Sequence, residues 1–280
     1  MIHLHHRTAL ITGGTQGVGR SIALSLAQAG ANLVLHGHLL NDAAEETRRD
    51  CEAHGVQVQL VDGDLAGPTL EAVSALYEKA TALAPSIDLL INNAGTYIDR
   101  PFLEMDFETY QKTFRLNAAA PYFLTQLFAK RWIAEATRGR ILFTGSINGN
   151  LSEADHTAYD SSKGAIHALV RSLCVALAPH GIRVNGIAPG LVRTPLTNRV
   201  LSSDNDFVKW MELHTPNGRV PEADVCGGAA AFLLSDLAEH IHGQMLLVDG
   251  GMSIWQQPDL PTHLRGCLSG PVTGTVVGNG

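Results

Sequence analysis

Residues 8–19 read Thr8-Ala9-Leu10-Ile11-Thr12-Gly13-Gly14-Thr15-Gln16-Gly17-Val18-Gly19. The first five form a short apolar, β-branched run of the kind that makes a buried strand. Glycines follow at once, and from Arg20 a helical pattern runs through Ile22, Leu24 and Leu26 to a stop at Gly30. In the succession strand, glycine loop, helix, such glycines have a mechanism. They permit a tight turn and let backbone N–H groups at a helix N-terminus approach a pyrophosphate. The spacing is Gly-x-x-x-Gly-x-Gly, with Ile22 in the slot where Gly-x-Gly-x-x-Gly would put its third glycine, so a plain tight turn remains the alternative reading.

Outward from this stretch the pattern repeats. Ala31 to His38 reads as a second strand, Asn41 to His54 as a polar helix, and Val56 to Val61 as a third strand ending in Asp62-Gly63-Asp64-Leu65. A helix over Thr69–Leu83 precedes a fourth strand, Ile87–Ile91, which leads into Asn92-Asn93-Ala94-Gly95. Gly139–Gly145, Arg183–Ala188 and Gln244–Val248 supply a fifth, sixth and seventh strand. Strands alternating with helices predict one α/β domain, a doubly wound Rossmann-type parallel sheet with helices on both faces, over residues 1–254. Residues 255–280, rich in Gly and Pro, read as a flexible tail or an arm laid on a neighbouring subunit. At the end of the second strand an acidic residue would take a ribose hydroxyl and repel a 2′-phosphate. Gly37 and His38 stand there instead, so neither NAD nor NADP is excluded.

The chain has 280 residues, 45% hydrophobic and 17% charged, with a formal net charge of −7. That size accommodates one large α/β domain. The acidic balance, without a basic stripe, argues against nucleic acid as a partner. No apolar run approaches membrane-spanning length and no leader pattern opens the chain, so a cytoplasmic protein is expected. Cys51, Cys174, Cys226 and Cys267 are far apart and read as free thiols. His3, His5 and His6 resemble a metal-binding cluster only superficially; a frayed N-terminus is the expectation, and no metal site is assigned.

The chemistry concentrates in the second half. Tyr159 and Lys163 are four apart and share one face of a helix that runs to about Leu177. A free phenol has a pKa of about 10, and burial raises it further. An ammonium about 5 Å away works in the opposite sense by roughly 3 kcal/mol, or about two pKa units. Tyr-x-x-x-Lys is therefore a way to make a general acid/base from a phenol. Ser146 follows the fifth strand, at the sheet edge where open α/β folds bind ligands, and its hydroxyl could hold a carbonyl oxygen against the phenol. Asn117 falls inside a long helical region, Phe107–Ala136, where asparagine is unfavourable and needs a reason. Leu191–Gly218 reads as a substrate-side lid whose short helix, Asp206–Leu213, carries Phe207, Trp210 and Met211; ordinary packing would use the same residues. His156 and Asn148 face either the substrate or a polar loop.

Taken together, these segments resemble the classical short-chain dehydrogenase/reductase family. Thr12 through Gly19 is similar to its TGxxxGxG loop, Asp64-Leu65 to its adenine-contacting position, and Asn92–Gly95 to its NNAG segment. Asn117, Ser146, Tyr159 and Lys163 match its catalytic tetrad, and Pro189-Gly190 with Thr194 its motif beside the nicotinamide. The resemblance implies NAD(P) bound by Gly13, Thr15, Gln16, Gly17, Val18, Gly19, His38, Asp64, Leu65, Asn93, Ala94, Gly95, Tyr159, Lys163, Pro189, Gly190 and Thr194. It implies hydride transfer between a secondary alcohol and a ketone. Lys163 would lower the Tyr159 pKa and hold the nicotinamide ribose, and Asn117 would support an ordered water in a proton relay. A homodimer or homotetramer, paired through the long central helices, is expected on the same ground. A sugar or polyol dehydrogenase is equally compatible; a 3-oxoacyl-carrier-protein reductase would need a basic docking patch beside the site, which the sequence does not display. A non-catalytic nucleotide-binding regulator is the rival from another class.

Overall fold

The computed structural model describes residues 2–201 and 205–255. Among them, seven strands form one parallel sheet in the order β3-β2-β1-β4-β5-β6-β7. They are β1 Thr8–Ile11, β2 Asn32–Gly37, β3 Val58–Asp62, β4 Leu89–Asn92, β5 Arg140–Thr144, β6 Arg183–Pro189 and β7 Met245–Val248. The helices are α1 Gly17–Gln28, α2 Asp42–Glu52, α3 Thr69–Leu83, α4 Phe107–Phe114, α5 Ala120–Ala134, α6 Thr157–Leu177, α7 Asn198–Leu201, α8 Asn205–Leu213 and α9 Val225–Leu234. The expected tail, from residue 256 on, and Cys267 lie outside the described residues.

Both sheet faces are covered, which is why the central strands are apolar throughout rather than alternating with polar residues. Successive side chains go to opposite faces. Ala9, Ile11, Leu33, Leu35, Leu89 and Ile91 join a core with α1, α2 and α9. Leu10, Val34 and Leu90 join another with α3, α5 and α6. Strand order reverses at β1, whose neighbours are β2 on one side and β4 on the other. The crevice outside the strand C-termini at that switch is where such sheets bind ligands.

The structure corrects the sequence reading at three places. The N-terminus is docked rather than frayed: Leu4 is buried, its N–H donates to the Ala29 carbonyl at 2.7 Å, and His5 packs over Gly30. The region 107–136 is not one α-helix, because a π-helical turn over Arg115–Ala119 separates α4 from α5. Finally, α9 has no counterpart in the sequence reading. Its sequence, Val-Cys-Gly-Gly-Ala-Ala-Ala-Phe-Leu-Leu, is apolar on every side and so lacks the periodicity that marks an amphipathic helix.

Candidate active site

The loop between β1 and α1 is shaped by close approach. Gly13 and Gly17 have φ of 60° and 54°, in the left-handed region that glycine enters at little cost. Gly19 is helical, but a Cβ there would run into the Gly13 carbonyl oxygen. Thr12 Oγ1 accepts the backbone N–H groups of Asn93 and Ala94 at 2.9 and 3.0 Å. The Asn93 amide donates to the carbonyls of Thr12 and Gly13 at 3.1 and 3.0 Å. On the α2 side, the Thr47 hydroxyl donates to the Thr15 carbonyl at 2.8 Å. No side chain caps α1, so the N–H groups of its first turn face the loop without an intrahelical or side-chain partner.

This loop forms one end of a cavity of about 480 Å³ at the C-terminal edge of the sheet. Gly13, Thr15, Gln16, Gly17 and Val18 line it, with His38, Asp64 and Leu65 at the ends of β2 and β3. Asn93, Ala94, Gly95, Pro189, Gly190 and Thr194 line it from the other half of the sheet. Gly19 lies behind Gly13 rather than in the wall. His38 Nδ1 is 3.7 Å from Asp64 Oδ1, so an imidazole and a carboxyl group meet at the mouth. A left-handed glycine turn, a helix start without a side-chain cap and an elongated cavity suit a dinucleotide.

Ser146, Tyr159 and Lys163 line the same cavity. Ser146 ends the extended segment after β5, and its Oγ accepts the Asn148 backbone N–H at 3.1 Å, leaving the hydroxyl proton free to be donated elsewhere. Tyr159 and Lys163 lie on successive turns of α6, with Lys163 Nζ 5.6 Å from the phenol ring centre and donating to the Thr144 carbonyl at 3.0 Å. Burial dominates both groups. It pushes the Tyr159 phenol up to about 12, with a Ser146 hydrogen bond acting the other way and the carboxylates of Asp160 and Glu153 adding to the rise. It lowers Lys163 to about 8. The lowering of the Tyr159 pKa expected from Lys163 does not prevail over burial, and the phenol stands above its ordinary value.

Asn117 sits in the π-turn, buried. Its Oδ1 accepts the Thr96 N–H at 2.8 Å, and its Nδ2 donates to the Thr96 carbonyl at 2.9 Å and to Ser162 Oγ at 3.0 Å. That is the reason for an asparagine inside the helical region: it bolts the segment after β4 to α6, and none of these bonds goes to Lys163.

A family profile described as Enoyl-(Acyl carrier protein) reductase matches residues 13–253. An L-rhamnose 1-dehydrogenase (NAD(P)(+)) of Sphingomonas sp. is 32% identical over 251 residues, 90% of this chain and 98% of its own. The chain is a classical short-chain dehydrogenase/reductase. Another relative of this short-chain enzyme, the L-rhamnose 1-dehydrogenase (NADP(+)) of Thermoplasma acidophilum, is 32% identical across 91% of this chain and 99% of its own. The crystal structure of a gluconate 5-dehydrogenase from Burkholderia cenocepacia in complex with NADP and tartrate superposes with a TM-score of 0.83 at 32% identity, covering 90% of this chain and 97% of that one.

Two residues of this short-chain dehydrogenase/reductase site escaped the sequence reading. Tyr97 stands edge-on to Tyr159 with ring centres 5.2 Å apart, and its hydroxyl is 2.7 Å from His156 Nε2. Its place two residues beyond Gly95 was the only local signal. His36 is a buried histidine near the C-terminal end of an apolar strand, and that mismatch was signal enough to mark it. The two substrate-side candidates lie one layer back. His156 also meets Asp99 at 2.8 Å, and the Asn148 amide donates to Glu153 and Asp160 at 3.0 and 2.9 Å. In the 191–218 segment, Thr194 to Thr197 reach the cavity, whereas in α8 Trp210 is half exposed and stacks on His214. The aromatic residues of α8 do not line the cavity wall.

Proposed function

We propose that this short-chain dehydrogenase/reductase is an NAD(P)-dependent oxidoreductase that interconverts a secondary alcohol and the corresponding carbonyl on a small, neutral, polyhydroxylated substrate. The observation that carries the reading is the joint presence of Ser146, Tyr159 and Lys163 in one wall of a cavity whose other end is the glycine loop. A nicotinamide dinucleotide held by that loop supplies the hydride acceptor or donor. The chain supplies position and protons. Ser146, with its lone pair engaged by Asn148, donates to the substrate oxygen, and Tyr159 takes the hydroxyl proton in oxidation or gives it in reduction. Lys163 keeps a positive charge beside the phenol. The Asn117 side chain is spent on Thr96 and Ser162, so any part it plays in proton resupply runs through its backbone.

The L-rhamnose 1-dehydrogenases among the relatives support a neutral polyol. The test is dinucleotide reduction with L-rhamnose, neutral polyols and gluconate, using NAD and NADP in parallel. Neither residue at the end of β2, Gly37 or His38, is acidic, although Asp64 approaches His38 to 3.7 Å, so both dinucleotides should serve. Because burial keeps the proton on Tyr159 at neutral pH, oxidation should speed up from about pH 7 toward about pH 8 as the phenolate fraction grows. Above that it should level off as Lys163, itself lowered to about 8, loses its charge. Turnover of gluconate alone would remove the neutral-substrate reading, and failure to bind either dinucleotide would remove the oxidoreductase reading.

The reading also includes a homo-oligomer in the cytoplasm. Among the described residues no helix is long and apolar enough to cross a membrane. Phe107, Tyr110, Phe114 and Tyr122 line a largely apolar groove of about 440 Å³ along α4 and α5, a face suited to a second copy. Sedimentation velocity should return a dimer or tetramer; a monomer at micromolar concentration would exclude it.

A further inference from the structure

Gly13 is held on both sides, through each of the two peptide units it joins. Its carbonyl accepts from Asn93, a residue of the family motif. Its N–H points the other way, to His36 Nδ1 at 3.2 Å, and the next N–H, that of Gly14, donates to the His36 carbonyl at 2.9 Å. The second ring nitrogen, Nε2, is 3.0 Å from the Gly63 carbonyl at the end of β3. A carbonyl can only accept, and a backbone N–H can only donate. The imidazole is therefore the tautomer with its proton on Nε2 and a lone pair on Nδ1. The ring is 3% exposed, and burial lowers its pKa to about 4, against small opposing effects from Gly63 and Asp62 and small reinforcing ones from His38 and Lys79. It stays neutral, so Nδ1 remains an acceptor.

We infer that His36 is a positioning residue for dinucleotide binding: by accepting from Gly13 and donating to Gly63 it fixes the left-handed Gly13 turn, and through it the N–H groups that α1 presents to the pyrophosphate. The inference rests on the dinucleotide reading above. Gly13 has φ of 60° and its carbonyl lies under Gly19, so a change in the Gly13 backbone dihedrals moves the start of α1. His36 does not act on substrate directly. Its contribution is to keep the loop in its binding geometry before the dinucleotide arrives, which makes binding less costly in ordering entropy.

The test separates the two ring nitrogens. In His36→Asn the side-chain oxygen can take the place of Nδ1; in His36→Gln the amide reaches instead toward Gly63; His36→Phe fills the space with neither. Dinucleotide Kd is measured by nicotinamide fluorescence with NADH and NADPH, beside thermal unfolding and steady-state kinetics with the dinucleotide varied at saturating substrate. Expected are a Kd raised about tenfold in His36→Phe and His36→Gln, a Kd within about threefold of the parent in His36→Asn, and a far smaller change in kcat than in KM for the dinucleotide. If His36→Phe does not fold, the Asn and Gln variants still decide. Equal dinucleotide affinity in Asn and Gln variants, or a loss confined to kcat, would overturn the inference. A parent protein that binds neither dinucleotide would overturn the oxidoreductase reading itself, a failure visible before any variant is made.

Discussion

Tyr159→Phe should lower kcat/KM by about three orders of magnitude while leaving dinucleotide affinity within about twofold, since a positioned acid/base is worth roughly 10²–10⁴ in rate. The substitution removes one oxygen from a ring that keeps its edge-on packing with Tyr97. Ser146 still accepts from Asn148, and Lys163 still donates to Thr144, so the rest of the wall stays in place. The lost hydroxyl is buried beside Ser146, and its removal should change stability by only about 1 kcal/mol in either direction. Steady-state kinetics, a dinucleotide titration and a thermal midpoint together make the test. A variant retaining a tenth of the parent activity would mean that the proton moves by another route.

The electrostatics behind this prediction are those of a buried pair rather than of a simple activating lysine. Burial drives the phenol up and the ammonium down, each toward its neutral form. The ammonium stands over the ring, 5.6 Å from its centre, but it donates to the Thr144 carbonyl, and the carboxylates of Asp160 and Glu153 add to the rise of the phenol. Resting Tyr159 is a protonated phenol, ready to donate in reduction. In oxidation it must accept, which is why the rate is expected to rise with pH.

Much of this was legible in the sequence because the information is local. An apolar run followed by glycines and a 3.6-residue period specifies strand, loop and helix without reference to distant residues. The order of these units then specifies a parallel sheet, and with it the edge where Ser146 emerges. Tyr159 and Lys163 were legible for the same reason, being one turn apart on one helix. What escaped depends on contacts distant in sequence. The break at Asn117 has its cause in Thr96 and Ser162, 21 and 45 residues away. His36 stood out as a histidine in an apolar strand, but its role could not be read there, because its partners, Gly13 and Gly63, come from different turns of the fold. The balance between burial and Lys163 at Tyr159 could not be read from spacing at all, since spacing reports proximity and not dielectric.

Gly19→Ala should weaken dinucleotide binding by about a hundredfold, the equivalent of roughly 3 kcal/mol, at the upper end of what overpacking costs. The position does not have the left-handed backbone that singles out Gly13 and Gly17, so the objection to alanine there is space alone. The added methyl would overlap the Gly13 carbonyl oxygen and lie 2.6 Å from Asn93 Nδ2, closer than real Cβ atoms come. Neither neighbour can yield cheaply. The Gly13 carbonyl is held by Asn93 and its N–H by His36, while Asn93 is also tied to Thr12 and Thr144. Room for the methyl therefore comes from lifting α1 off the loop, which displaces the N–H groups meant for the pyrophosphate. Gly228→Ala, on α9, is the matched control: nothing lies within 4 Å of its added methyl. Alanine there should stabilise the protein by up to about 1 kcal/mol through helix propensity and leave dinucleotide affinity alone. The pair is read by nicotinamide fluorescence and thermal unfolding. Parent-like affinity in Gly19→Ala would mean that the contact between α1 and Gly13 is looser than this geometry allows, and that the loop owes its shape to Gly13 and Gly17 alone.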